Sequence, residues 1–152
     1  MESPVFLAQS DTTAGFLCED FIHLNACKGR DSKQNALLTL DRLSKLKALV
    51  RIPNAHRNRI RRSRKQTFVY RNGSKESLAV RFVSKESSGE HSILLEFFPF
   101  LYSSSANAHK RAFDLQFALQ MADIIVLDAR FLSEQNPSKM YKIANQRIKR
   151  IR

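Results

Sequence analysis

Acidic side chains are scarce in this 152-residue chain: Asp and Glu number 14 against 26 Lys and Arg, a formal net charge of +12. Glycine is also scarce, at four residues, so collagen-like repeats are out, and no long heptad run supports a coiled coil. Two cysteines, Cys18 and Cys27, are too few for a disulfide framework or a cysteine zinc site. His23, His56, His91 and His109 are scattered without metal-ligand spacing. No apolar run approaches the roughly 18 residues of a membrane span. The opening Met1-Glu2-Ser3-Pro4 has no basic n-region of a secretory signal. Walker A, dinucleotide-fingerprint, nucleophile-elbow and zincin patterns are all missing. These absences lead us to expect a reduced, cytoplasmic protein without structural metal, and no membrane association.

What is present is an ordinary globular composition, 43% apolar and 26% charged. At this length a single domain spanning 1–152 is expected. The basic excess favours a polyanionic partner or ligand over a mere solubility role. Short apolar runs at 5–8, 37–40, 80–83 and 124–127 predict strands of one sheet. Helical spacing predicts helices over 19–28, 41–50, 54–65, 91–97 and 112–121. Asn72-Gly73, flanked by apolar runs, predicts a hairpin turn. Basic and apolar residues alternate over 140–143 and 147–151. Strands and helices alternate along the chain, which predicts an α/β fold: a twisted mixed β-sheet flanked by helices.

Four constellations could carry chemistry. Ser10-Asp11-Thr12-Thr13 follows the first strand, where hydroxyls and backbone N–H groups suit a polar or anionic ligand. Taken alone, a helix cap by Asp11 or Thr12 explains it better. Lys28-Gly29-Arg30 sets two cations astride a glycine at a helix end, a point charge beside a bidentate fork. Taken alone, a basic C-cap is again the better reading. Ser103-Ser104-Ser105-Ala106-Asn107 lies at a strand end, where open α/β sheets place ligands, although turns use the same residue types. Arg57, Arg59, Arg61, Arg62, Arg64 and Lys65 form a basic run that no helix can present on one face. The tail from Lys139 to Arg152 adds six cations and no carboxylate.

In order, these segments resemble the YrdC-like family of threonylcarbamoyl-AMP synthases. The family's P-T-[ED]-T-x-Y-G-L loop is matched in Gln9-Ser10-Asp11-Thr12-Thr13-Ala14-Gly15-Phe16, and its K-x-R in Lys28-Gly29-Arg30. Asn35-Ala36-Leu37-Leu38 follows, then the Arg-bearing strand Val80-Arg81-Phe82-Val83. The family's S-A-N is present as Ser105-Ala106-Asn107. Asp123-Ile124-Ile125-Val126-Leu127-Asp128 and Ser138-Lys139-Met140-Tyr141 echo its terminal elements. The resemblance runs from about Val5 to Arg152.

The resemblance implies a YrdC-like fold with a positively charged concave face. It implies ATP, accompanied by magnesium, and L-threonine and bicarbonate as substrates of threonylcarbamoyl-AMP formation for tRNA modification. By the same likeness Lys28 and Arg30 would hold bicarbonate or phosphate oxygens. Ser105, Asn107 and Ser138 would contact the nucleotide, Arg81 a carboxylate or phosphate, and Ser10 and Thr12 the threonine and carbonate end. Partners would include tRNA or double-stranded RNA and other tRNA-modification proteins. The chain departs from the pattern at Gln9, Ala14, Asp31, Ala108 and Lys139. An active synthase, a non-catalytic member binding RNA or nucleotide, and a partner-binding subunit with a vestigial pocket therefore stay open.

Overall fold

The computed structural model describes residues 2–71, 76–87 and 89–152. Its centre is a mixed sheet of nine strands. In chain order these are β1 (Phe6–Gln9), β2 (Ala14–Cys18), β3 (Leu37–Leu40), β4 (Gln66–Arg71), β5 (Ser77–Phe82), β6 (Leu101–Ser105), β7 (Ile124–Ile125), β8 (Lys139–Ile143) and β9 (Ile148–Arg150). Their spatial order is β7-β1-β2-β6-β3-β5-β4-β8-β9. The pairs β1–β7, β3–β5 and β4–β8 are parallel, and the rest antiparallel. Five helices flank it: α1 (Phe21–Cys27), α2 (Leu43–Leu49), α3 (Arg57–Arg61), α4 (Glu90–Glu96) and α5 (Leu115–Met121). Among the described residues no helix is long and apolar enough to cross a membrane.

Strand alternation sorts the side chains. Leu38, Leu40, Phe68, Tyr70, Val80 and Phe82 pack with Leu46, Val50, Ile52 and Ile60 around α2 and α3. Their neighbours Leu37, Thr39, Thr67, Val69, Ala79 and Arg81 line a cavity instead. Near the other edge, Phe16 and Cys18 pack with Leu24 and Ala118, while Phe6, Ala8 and Leu17 pack with Leu95. Each Leu or Phe so buried stabilises the fold by about 1.5–3 kcal/mol.

The predicted strands at 5–8, 37–40, 80–83 and 124–127 do join one sheet, the second with the expected limits and the others with shifted ones. Other expectations need correction. Residues 10–13 do not lead into a helix: they turn between β1 and β2, an antiparallel hairpin. Neither Asp11 nor Thr12 therefore caps a helix, and Asp20 caps α1 by accepting from the Ile22 N–H. Ser103, Ser104 and Ser105 lie within β6, paired with β2, not in a loop after it. The helix expected over 54–65 is a 3₁₀ turn at Asn54–His56 followed by the short α3. The apolar run at 124–127 yields only the two-residue β7, with Ile124 and Ile125 both more than 40% exposed because it is the sheet's edge. Asn72-Gly73 lies outside the described residues.

Candidate functional site

A cavity of about 810 Å³ opens on the sheet face opposite α2 and α3. Six of the eight residues proposed from the sequence line it: Ser10, Thr12, Arg30, Arg81, Ser105 and Ser138. Lys28 and Asn107 stand behind that wall, joined to it through Ser105. Residues up to 128 positions apart in the chain thus meet at one place.

Lys28 arrives there through the end of α1. It is the C-cap residue, and Gly29 follows at φ +65, a left-handed conformation that glycine adopts without the steric cost of a Cβ. The chain therefore reverses, and the Arg30 N–H returns to the Asn25 carbonyl at 3.1 Å. The basic cap foreseen as the alternative reading exists in the backbone, but the Lys28 side chain does not serve the helix. Its Nζ donates to the Ser105 carbonyl, with Ser105 Oγ at 3.4 Å and Asn107 Oδ1 at 3.3 Å. All three acceptors are neutral. The residue is 4% exposed, and burial, with the Arg30 charge adding to it, pulls its ammonium from 10.5 down to about 8.

Arg30 donates from Nε to Asn25 Oδ1 and from Nη1 to Ser104 Oγ at 3.3 Å. Its Nη2 is buried without a partner. Two cations with no carboxylate between them, one with an unused donor, suit an anion at this end of the cavity.

The other end is built differently. Arg81 projects from β5 and is already paired with a carboxylate of the chain itself, through Nη2 to Asp11. Its Nη1 donates to Thr12 Oγ1 at 2.8 Å, and its Nε is buried and unpartnered. Burial lowers Arg81 to about 10, so it stays cationic at neutral pH. Asp11 also accepts from the Lys65 N–H at 3.2 Å. Arg81 therefore positions the 10–13 turn, leaving Nε for a further acceptor. Ser10 Oγ donates to the Thr13 carbonyl at 2.7 Å and accepts from the Thr12 N–H at 3.1 Å. Ser138 and Thr67 share a hydroxyl hydrogen bond of 2.7 Å on the cavity wall.

Several residues of this region escaped the sequence reading. His91, in the first turn of α4, lines the cavity at 2% exposure, and its Nδ1 has no partner. Burial, followed by the charges of Arg81 and Arg130, pushes it down to about 3, so the imidazole is neutral. Arg130 donates to the Gln9 carbonyl at 2.9 Å and the Ser10 carbonyl at 3.2 Å, while Asp128 binds its guanidinium. Thr39 meets Ser103 at 2.6 Å. The available signal was a polar residue inside an apolar strand, as in Leu37-Leu38-Thr39-Leu40 and Val80-Arg81-Phe82. Lone residues such as His91 and Arg130 carry no such contrast.

No protein-family model and no curated protein matches the chain. Solved structures do. E. coli YciO is 14% identical with a TM-score of 0.73, over 99% of this chain and 82% of its own. P. abyssi Sua5 complexed with L-threonine is 13% identical with a TM-score of 0.73, over 98% of this chain and 50% of its own. Full-length HypF in its phosphate- and nucleotide-bound form is 14% identical with a TM-score of 0.73, over 98% and 26%. The chain thus spans about four fifths of the length of one of these proteins and half or less of the other two. At these identities the likeness is one of architecture, and on that architecture the chain has the YrdC-like fold.

Proposed function

We propose that the cavity binds an adenine nucleotide and that the chain forms threonylcarbamoyl-AMP from L-threonine, bicarbonate and ATP, for tRNA modification. The observation that carries this reading is the buried Lys28 ammonium, held only by neutral acceptors beside Arg30 and the Ser105–Asn107 segment. The likeness to a threonine-bound Sua5 and a nucleotide-bound HypF supports it at the level of the fold.

The chemistry is compatible with the residues present. Bicarbonate and the threonine amine condense with loss of water to a carbamate. A carbamate oxygen then bonds to the α-phosphorus of ATP as the bond to the β-phosphate bridging oxygen breaks, and pyrophosphate leaves. Such a transfer rests mainly on positioning and charge stabilisation. Lys28 and Arg30 would face the developing negative charge. Ser105, Asn107 and Ser138 would orient the nucleotide, Ser10 and Thr12 the amino acid. Arg81 Nε and neutral His91 would hydrogen-bond the substrate rather than move protons. Among the described residues no cluster of three His, Cys, Asp or Glu could cage a metal. Magnesium would therefore come bound to the nucleotide's own phosphate oxygens.

The test is pyrophosphate release from ATP that requires both threonine and bicarbonate. It should occur with the native chain, and Lys28→Ala should weaken nucleotide binding by about 1.5–3 kcal/mol, the range for hydrogen bonds to charged groups. The absence of both turnover and ATP binding in the native chain would defeat this reading. A second reading, a non-catalytic member binding duplex RNA or tRNA, is favoured by the basic run at 57–65 and the basic tail. Duplex RNA binding without pyrophosphate release would select it. Two free cysteines accord with a reducing, cytoplasmic location.

A further inference from the structure

Charge in this chain is segregated. Residues 42–75 carry twelve Lys and Arg and no carboxylate, and residues 135–152 carry six and none. The other 100 residues carry eight cations and fourteen carboxylates, a net charge of −6. The two basic segments are distant in sequence yet adjacent in space. β4 pairs with β8, the His56 ring nitrogen Nε2 lies 3.1 Å from the Ala144 carbonyl oxygen, and the Arg59 guanidinium sits 4.8 Å from the centre of the Tyr141 ring. Apart from Arg42 and Lys45, which pair with Asp41 and Glu96, the described cations of these two segments therefore gather toward one end of the sheet, with α2 and α3.

That end holds its own cavity, of about 650 Å³, between the end of α2, the start of α3 and the β8–β9 turn. Lys47, Arg51 and Arg57 line it together with the amides of Asn54, Asn145 and Gln146, and no carboxylate does. Among the described residues none of the three cations has an ion-pair or hydrogen-bond partner. Phe68 and Tyr70 of β4 face the α2–α3 core, whereas Thr67 and Val69 face the Lys28 cavity. The two cavities therefore lie on opposite faces of the sheet.

We propose that this cationic end is a second anion site, which binds duplex RNA along its phosphodiester backbone, with the Lys47–Arg51–Arg57 cavity seating a phosphate. The proposal rests on the RNA-binding reading and gives it a location away from the Lys28 cavity. Arginine makes up eleven of the eighteen cations, and its planar fork fits phosphate oxygens. A membrane surface fits less well, because Ile151 is the one exposed large apolar side chain in these two segments among the described residues.

The experiment is a salt titration of duplex RNA binding by fluorescence anisotropy. Each neutralised phosphate contributes a slope of about −0.9 in log K against log salt on B-DNA, with a similar order taken for RNA. The variant K47A/R51A/R57A should bind at least about tenfold more weakly at low salt and lose about 2–3 from that slope. The variant K33A/K110A/R111A removes the same charge outside the two basic segments and should bind nearly as the native protein does. Both should melt as native and retain ATP binding, since none of these six residues lines the Lys28 cavity. No salt-dependent RNA binding by the native chain would overturn the RNA reading and this site with it. Native RNA binding with equal losses in the two variants, or none in the first, would overturn the site alone. Capture by phosphatidylserine vesicles in place of RNA would also overturn it.

Discussion

Lys28 carries a charge that folding opposes. Moving its pKa from 10.5 to about 8 corresponds to about 3 kcal/mol of destabilisation below pH 8. The unfolded chain binds the proton more tightly, so this group makes stability rise as pH increases from about 8 to 10.5. Lys28→Met should thus stabilise the fold by about 1–2 kcal/mol after the loss of its hydrogen bonds, while weakening anion binding. Urea denaturation at pH 7 checks the sign, and a loss of stability would show that the Ser105 and Asn107 contacts outweigh desolvation. Asp11 and Arg81 are the opposite case, a buried pair that must stay whole. Asp11→Asn should cost about 3–5 kcal/mol by leaving a buried guanidinium uncompensated. A melting temperature within a degree of native would refute that. The Lys28–Arg30 and Ser105–Asn107 motifs were legible because each is a short pattern of distinct chemistry. His91 was not, because a lone histidine among Ser, Ile and Leu looks like any amphipathic helix.

The hairpin of β1 and β2 shows what happens at the next scale. Ala14-Gly15-Phe16-Leu17-Cys18 has no clear alternation, and the sequence reading placed no strand there. It is a strand because β1 and β6 sandwich it, burying all five residues. Gly15 has its own reason: a Cβ there would sit 3.1 Å from the Ser104 carbonyl oxygen of the neighbouring strand. The turn of this hairpin is strapped from outside by residues 128–133. Arg130 binds the Gln9 and Ser10 carbonyls, the Ser133 N–H donates to Gln9 Oε1 at 2.9 Å, and the Ser133 carbonyl accepts from the Ala14 N–H at 2.9 Å. Arg130→Met should therefore loosen the 9–14 turn locally, costing about 1–2 kcal/mol. Hydrogen exchange should show faster exchange there while α2 and β4 stay protected. Uniform change across the sheet would mean that the strap supports the whole fold instead.

Across the whole molecule, the separation of +18 from −6 means that like charges crowd one end. Their repulsion is screened as the Debye length falls from about 30 Å at 0.01 M salt to about 8 Å at 0.15 M. The melting temperature should rise over that range. A fall would show that ion pairs such as Lys85–Glu96 and Lys45–Asp41 govern the balance.

The apolar runs, the helical spacing and the excess of cations are local properties, so the α/β class followed from the residues in order, as did the expectation of a polyanionic partner. Strand order did not follow, since β6 lies between β2 and β3 and β8 beside β4 only once the whole sheet forms. That pairing brings Ser105 to Lys28 and Ser138 to Thr67, and alternation then turns Thr39 and Arg81 toward the cavity and Leu38 and Val80 away from it. The same pairing gathers two basic segments at one end. A run of side chains along the chain states what each residue can do, but the hydrogen-bonded register between distant strands decides which of them share a site.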